Sequence, residues 1–228
     1  MLLLCVLPLL LSGCVYFSRH TLPGACADDL GSPLHNFCVV TPGVLWRGAS
    51  PGRADAAWLV QHGVKTVISL QLDMQHAFEG ARLDPAVKRS VTYFQVRNFI
   101  AVDVLTHYHL DQNVAYILAI IKEAPKPAFV SCRAGVDRTG IIAAAYRVLV
   151  QGKSRQEAIA EMDRFHSPWD PLNARYVRSL SGAHAAKILR DTRKWENRLR
   201  PSGEFICRDG RCRFHGFGAA NEPRTLAR

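Results

Sequence analysis

The residues best suited to chemistry lie between Cys132 and Gly140, where the sequence reads Cys-Arg-Ala-Gly-Val-Asp-Arg-Thr-Gly. The apolar stretch Ala128-Phe129-Val130 precedes this segment, and a second apolar stretch begins at Ile141. This order predicts a strand, a tight loop that opens on a thiol, and then a helix. The loop amides and the helix N-terminus would converge on one anion and stabilise it with fixed dipoles.

Two side chains of this loop would act on a bound phosphate. Arg138 presents a planar guanidinium that can donate two parallel hydrogen bonds to an oxyanion, which lysine cannot do. The positive field of the loop favours the thiolate of Cys132, which is the nucleophilic form of the side chain. The residues predicted to bind the phosphate follow the cysteine directly: Arg133, Ala134, Gly135, Val136, Asp137 and Arg138.

The interval between cysteine and arginine is weak evidence by itself, because Cys207 also has an arginine six residues later. Around Cys132 the interval comes with Gly135, with Thr139-Gly140 and with a strand-to-helix pattern. The competing interpretation is a buried, inert cysteine before an ordinary helix, since such cysteines are common packing residues. The combination of features favours a phosphate-binding nucleophile.

This loop resembles the signature of the protein tyrosine phosphatase superfamily, and the compact layout resembles its dual-specificity branch, especially the secreted bacterial members. The resemblance runs from about Phe37 to about His166 and includes residues 39–51 and 152–162, which are similar to the family's opening segment and to its helix after the loop. It implies an α/β fold with a central, mainly parallel sheet of four to five strands flanked by helices. It also implies a phosphatase that works through a cysteinyl-phosphate and needs no metal or other cofactor.

The resemblance implies the remaining catalytic roles as well. In the family, an aspartate roughly thirty residues before the nucleophile protonates the leaving oxygen and then activates water. Asp103 lies 29 residues before Cys132 and fits this role. Asp111 is the alternative acid, although its position also suits it to stabilise a helix N-terminus. Thr139 would stabilise the thiolate as it leaves phosphate.

Three further positions around the loop carry expectations of their own. Ser131 departs from the family pattern, which usually has His before the nucleophile, and this implies weaker stabilisation of the thiolate. An inactive phosphate-binding adaptor is therefore kept as an alternative function. Asp137, an acid beside a phosphate site, is expected to face outward, and Arg47 is predicted to be a structural salt-bridge partner instead of a catalytic group.

The N-terminus predicts a secreted lipoprotein. Residues 1–13 contain a short apolar block that suits a signal peptide and is too short for a permanent transmembrane helix. The small residues before Cys14 resemble a bacterial lipobox, which implies lipidation of Cys14 and attachment to the periplasmic side of a membrane, with the outer membrane favoured. An ordinary secretory signal and a buried strand are the alternatives, and no Lys or Arg precedes the apolar block.

The cysteine count agrees with an oxidising compartment. Once Cys14 is assigned to lipid and Cys132 to catalysis, four cysteines remain after the signal segment: Cys26, Cys38, Cys207 and Cys212. Three disulfide pairings are possible, and the local ones, Cys26 with Cys38 and Cys207 with Cys212, are favoured over reduced thiols. A metal site is disfavoured because the sequence has no Cys-x-x-Cys motif.

Composition and charge organise the rest of the chain. The 228 residues, 48% of them hydrophobic, suit one domain with extensions, and we assign residues 14–36 to a tether, 37–200 to the phosphatase domain and 201–228 to a basic tail.

The net charge is +10, and residues 174–228 hold 13 Lys/Arg against 5 Asp/Glu. Such a segment can meet anionic lipid or acidic protein, whereas the predicted location disfavours nucleic acid. The alternative is a solvated helix face over 172–199 followed by a loose tail.

The sequence therefore predicts a periplasmic, lipid-anchored phosphatase for phosphotyrosine or dual-specificity protein substrates. A phosphatase for phosphoinositides or inositol phosphates is the second enzymatic hypothesis. A deep, aromatic-lined slot would favour phosphotyrosine, and a shallow pocket would favour lipid or phosphoserine.

Overall fold

The structure is a computed structural model, and it describes residues 28–70, 91–96, 108–166, 170–199, 204–208 and 211–215. The strands and helices are numbered over these residues. The strands are β1 (Cys38–Thr41), β2 (Leu45–Ala49), β3 (Thr66–Ser69), β4 (Thr92–Gln95), β5 (Ala128–Cys132), β6 (Glu204–Arg208) and β7 (Arg211–His215). The helices are α1 (Arg53–Gln61), α2 (Tyr108–Glu123), α3 (Asp137–Leu149), α4 (Arg155–Asp163), α5 (Asp170–Ser179) and α6 (Gly182–Leu199).

Five strands form one sheet in the order β1-β2-β5-β3-β4. The β1–β2 pair is antiparallel, and the other three pairs are parallel. The apolar, β-branched stretches of the sequence occupy β3 and β5, which are buried along their whole length, as expected for strands covered on both faces. The predicted α/β fold with a mainly parallel central sheet is confirmed.

Two hydrophobic cores lie on the faces of this sheet. One core contains Phe37, Trp46 and Phe129 together with the inner face of α1. The larger core contains the apolar stripe of α2, which repeats at helical spacing from Leu110 to Ile121, and buried residues of β3, β5 and α3. Helices therefore hold β5 between two packed layers.

The predicted helix start at Ser154 is also present. The Ser154 hydroxyl accepts from the amide of Glu157 at 3.1 Å, and the Glu157 carboxylate accepts from the amide of Ser154 at 2.9 Å. This reciprocal pair satisfies two backbone donors at the N-terminus of α4, which packs against α3 behind the loop that follows β5.

The C-terminal segment is more ordered than the loose tail of the alternative interpretation. Two helices, α5 and α6, cover residues 170–179 and 182–199, and α6 buries Ile188, Thr192, Glu196 and Leu199. Beyond them, β6 and β7 pair as an antiparallel hairpin in which Cys207 lies opposite Cys212. The sequence could not show this packing because the surface that α6 covers belongs largely to α2, which lies far away in the chain.

Cys38 is disulfide-bonded, so the alternative of a reduced thiol is wrong at this position. The predicted signal segment, Cys14, Cys26 and the acid Asp103 all lie outside the described residues. None of the described helices has the length and hydrophobicity that a membrane-spanning segment needs.

Candidate active site

Cys132 ends β5, the middle strand of the sheet, at the edge where the parallel strands terminate. On one side, Cys132 lies beside Ala49 at the end of β2. On the other side β3 has just ended, and the amide of Leu70 donates to the carbonyl of Ser131. The side chain is a free thiol with 3% of its surface exposed. The carboxyl edge of a parallel sheet is a usual position for a ligand site, and the structure places Cys132 there, where the sequence predicts it.

The loop after Cys132 turns its carbonyl groups away from the thiol toward surrounding donors. Four consecutive carbonyl oxygens, those of residues 133–136, each accept a hydrogen bond from outside the loop or from the following helix. The donors and distances are Ser50 N to Arg133 O at 3.4 Å, Asn36 Nδ2 to Ala134 O at 2.8 Å, Arg47 Nη2 to Gly135 O at 2.6 Å and Gly140 N to Val136 O at 2.7 Å.

This arrangement leaves the amide groups of the same residues for a ligand. None of the amides of residues 133–136 donates a hydrogen bond to another residue in the described part of the chain. Successive amides with their carbonyls turned outward form a concave site that favours an anion. The N-terminus of α3 begins at Asp137 and adds its partial positive charge, so the loop favours an anion.

Gly135 permits the tight path of the loop. Its φ angle is +71°, and a Cβ atom at this position would lie 2.3 Å from the carbonyl carbon of Gly48 and 2.4 Å from the amide nitrogen of Ala49. Backbone therefore contacts backbone between the loop and the end of β2. Only glycine satisfies both the positive φ and this approach.

The two loop arginines differ in their surroundings. Arg138 is partly buried, and its Nη1 donates to the carbonyl of Leu70 at 2.8 Å, directly after β3. This contact orients the guanidinium at the strand edge where Cys132 ends, and its remaining N–H groups are without a hydrogen-bond acceptor in the described chain. Arg133 is exposed, so only its backbone lies in the receptor.

Thr139, the residue predicted to stabilise the leaving thiolate, lies in the first turn of α3. It is 0% exposed, and its hydroxyl has no hydrogen-bond partner among the residues with described side chains. A buried hydroxyl without a partner is costly, and an acceptor that forms during catalysis would satisfy it. Ser131 is also 0% exposed, in the middle strand of the sheet.

Asp137 does not face freely outward, as the sequence suggested. It accepts a hydrogen bond from Asn173 Nδ2 of α5 at 3.4 Å. Burial raises the pKa of the Asp137 carboxyl, although Asn173, Arg138 and Arg47 each offset part of this shift. Burial therefore makes the charged form of this acid less favourable in the folded protein, and the hydrogen bond from Asn173 offsets only part of the effect.

We expect Asp137→Asn to stabilise the protein more at pH 8 than at pH 4. An acid whose pKa is raised by folding binds its proton more tightly in the native state, so native stability falls as pH rises above the ordinary value of 3.8. The asparagine side chain does not ionise, so the variant does not lose stability in this way as the pH rises. Melting temperatures of both proteins at pH 4, 6 and 8 test the prediction, and a difference between them that does not change with pH would contradict it.

Asp111, the alternative acid, is buried among hydrogen-bond partners from α5 and α6. It is 6% exposed in the first turn of α2, its Oδ1 accepts from the Tyr176 hydroxyl at 3.1 Å, and the same oxygen lies 2.8 Å from His184 Nε2. Burial and then the charge of Asp111 raise the pKa of Tyr176 well above its usual value, which keeps the hydroxyl a donor. These contacts join α2 to α5 and α6, and Asp103 stays the predicted acid.

Sequence analysis did not identify two residues that shape the loop. Asn36 has a φ angle of +53° and is 2% exposed, and it holds the carbonyl of Ala134. Arg47 was predicted to form a salt bridge, but among the described residues it forms none; it donates to the loop carbonyls instead. The only signals in the sequence are the tolerance of Asn for positive φ and an arginine in an otherwise apolar strand.

The family model described as DSP-PTPase phosphatase fused to NAD+ kinase matches residues 40–175, more than half of the chain. Dual specificity protein phosphatase TpbA of Pseudomonas aeruginosa strain UCBPP-PA14 is 32% identical over 136 residues, which are 58% of this chain and 55% of that protein. The same protein of strain PAO1 is 33% identical over 132 residues. The chain thus spans about half the length of the curated relatives it matches.

Solved structures show the same fold. A crystal structure of P. aeruginosa TpbA in complex with phosphotyrosine superposes with a TM-score of 0.51 at 26% identity and covers 72% of this chain and 93% of that chain. The catalytic core of the PP-IP phosphatase Siw14 from S. cerevisiae has a TM-score of 0.52 at 19% identity and covers 72% and 95%, a likeness of fold. The predicted family is confirmed by the match of the family model. The chain therefore belongs to the DSP-PTPase phosphatase family, as a dual-specificity-like member of the protein tyrosine phosphatase superfamily.

Proposed function

We propose that this chain hydrolyses phosphate monoesters on proteins, with phosphotyrosine as the preferred substrate. The observation that carries the proposal is the free thiol of Cys132 at the start of a loop whose carbonyls all point outward and whose amides are left for an anion. The relative TpbA, whose structure is known with phosphotyrosine, supports the choice of substrate.

In the proposed reaction, the Cys132 thiolate attacks phosphorus while the loop amides and Arg138 bind the non-bridging oxygens. A sulfur–phosphorus bond forms and the bond between phosphorus and the ester oxygen breaks, and Asp103 donates its proton to that oxygen. Water then attacks the cysteinyl-phosphate and gives a proton to Asp103. Inorganic phosphate leaves, and the hydroxyl of Thr139 donates to the thiolate as it reforms.

We also propose that the protein is secreted and lipid-anchored. The predicted signal segment 1–13, lipidation at Cys14 and a tether to residue 36 would place the phosphatase domain, residues 37–200, in the periplasm beside a membrane. The disulfide at Cys38 supports an oxidising compartment. The basic residues of 201–228 would then face anionic headgroups or an acidic protein.

A panel of substrates tests the function. The purified chain under mild reducing conditions is offered p-nitrophenyl phosphate, a phosphotyrosine peptide, a phosphoserine peptide and a phosphoinositide, and kcat/KM is measured for each. We expect the phosphotyrosine peptide to be hydrolysed at least about tenfold more efficiently than the other two biological substrates. A preference for the phosphoinositide would replace the proposal with the lipid phosphatase, and binding without turnover on all four would indicate an adaptor.

A comparison of phenyl phosphate with p-nitrophenyl phosphate identifies the general acid. Asp103→Asn should slow hydrolysis of phenyl phosphate by roughly 100-fold or more, but that of p-nitrophenyl phosphate much less, because a good leaving group needs little protonation. Asp111→Asn is the matched control, since its carboxylate binds Tyr176 and His184. It should lower the melting temperature and leave the ratio of the two rates unchanged. The opposite pattern would assign the acid to Asp111.

A further inference from the structure

Arg47 is a fully buried cation. It lies in β2, is 0% exposed and is the largest fully buried side chain among the described residues. Burying a charge is costly unless a partner compensates it, yet no described carboxylate lies within ion-pair distance of its guanidinium. Two of its nitrogens, Nε and Nη1, also have no hydrogen-bond partner in the described structure.

The contacts that Arg47 does make are with the back of the phosphate loop. Its Nη2 donates to the carbonyl of Gly135 at 2.6 Å and lies 3.5 Å from the carbonyl of Val136. The ring of Phe165 covers the guanidinium, with its centroid 3.7 Å from Cζ. The guanidinium is thus held between an aromatic ring and the loop, on the side opposite to the loop amides.

The electrostatic partners of Arg47 include the nucleophile itself. Burial lowers the pKa of Arg47 to about 10, and the charges of Glu161, Cys132 and Asp137 offset part of this change. The side chain therefore remains charged at neutral pH. Glu161 already pairs with Arg147, whose Nε lies 2.8 Å from its Oε2. The guanidinium is held on the carbonyls of the loop that begins at Cys132, so its positive charge lies close to any anion that this loop holds.

We propose that Arg47 is a positioning residue of the phosphatase reaction, with two effects on the loop. Its hydrogen bonds keep the carbonyls of Gly135 and Val136 turned outward, which directs the amides toward the phosphate. Its buried charge stabilises the Cys132 thiolate and, later, the bound phosphate dianion. The inference deepens the proposed function, since it concerns the loop that would hold the substrate.

Asn36 provides a matched comparison because it anchors the same loop without a charge. Its Nδ2 donates to the carbonyl of Ala134 at 2.8 Å. Replacing Asn36 by alanine removes one anchor only. Replacing Arg47 by methionine removes an anchor and the charge, and replacing it by lysine keeps a charge but loses the planar fork.

The test measures kcat/KM for p-nitrophenyl phosphate and the rate at which iodoacetamide alkylates Cys132 at pH 6, followed by peptide mass spectrometry. We expect Arg47→Met to lower kcat/KM roughly 10- to 100-fold and to slow alkylation about tenfold or more. Asn36→Ala should lower kcat/KM less and leave the alkylation rate within about twofold of wild type. Arg47→Lys should keep most of the alkylation rate and lose kcat/KM.

Alkylation at the wild-type rate in folded Arg47→Met would overturn the charge effect, and so would an equal slowing in Asn36→Ala. If Arg47→Met does not fold, Arg47→Lys decides, since wild-type kcat/KM in that variant overturns the positioning role. Alkylation needs no turnover. A wild-type protein inactive on every phosphate ester would therefore refute the proposed function while the alkylation rates still test Arg47.

Discussion

Replacing Cys132 by serine is expected to abolish turnover and to leave phosphate binding almost intact. The serine hydroxyl is not ionised at neutral pH and cannot form the sulfur–phosphorus intermediate, so kcat for p-nitrophenyl phosphate should fall at least about 1,000-fold. The receptor does not depend on the sulfur, because its carbonyls are anchored by Ser50, Asn36 and Arg47. Calorimetry with inorganic phosphate should give a Kd within about threefold of wild type.

The two measurements on this variant separate catalysis from folding. Loss of both turnover and phosphate binding would mean that the serine variant had lost the loop conformation, which a lowered melting temperature would also reveal. Turnover within about tenfold of wild type, with binding retained, would exclude Cys132 as the nucleophile. Either result would contradict the prediction.

The second large effect is expected at Gly135. A methyl group there would lie 2.3 Å from the carbonyl carbon of Gly48, on a backbone with a φ angle of +71°, so either the loop or the end of β2 must move. Left-handed strain and overpacking together should lower the free energy of unfolding of Gly135→Ala by roughly 2–5 kcal/mol. Activity should fall at least about 100-fold, because displaced amides no longer converge on phosphate.

Gly152 offers a control with a similar φ angle and no close neighbour. Its φ angle is +69°, and a Cβ atom there would meet nothing within 4 Å. Gly152→Ala should therefore show only the left-handed strain, about 1–2 kcal/mol, with unchanged kcat/KM. Chemical denaturation and assays on both variants check the pair, and equal losses of activity would refute the steric explanation for Gly135.

Local patterns predicted the elements that position the site, because local interactions form them. The apolar stretch Ala128-Phe129-Val130 became the middle strand, and the Ser154–Glu157 pair capped α4. The resemblance of residues 132–140 to a known signature predicted the family that the comparison confirms. Neither the local patterns nor the family resemblance predicted the surroundings of Asp111, because these depend on contacts with α5 and α6.

By itself, the sequence determined where the predicted nucleophile, the loop arginine and the backbone predicted to bind phosphate lie, since these residues are contiguous and follow one strand. Only the tertiary structure decided what holds that loop open toward a ligand. Arg47 and Asn36 reach loop carbonyls 88 and 98 residues away in the chain, and Arg138 reaches Leu70 across 68. The sequence predicts a salt bridge for the side chain of Arg47, whereas in the structure this side chain is buried and donates to loop carbonyls. The physical reason is that burial removes water as a hydrogen-bond partner. Each buried polar group must then point toward a partner from a distant segment that the packed sheet brings within hydrogen-bond distance.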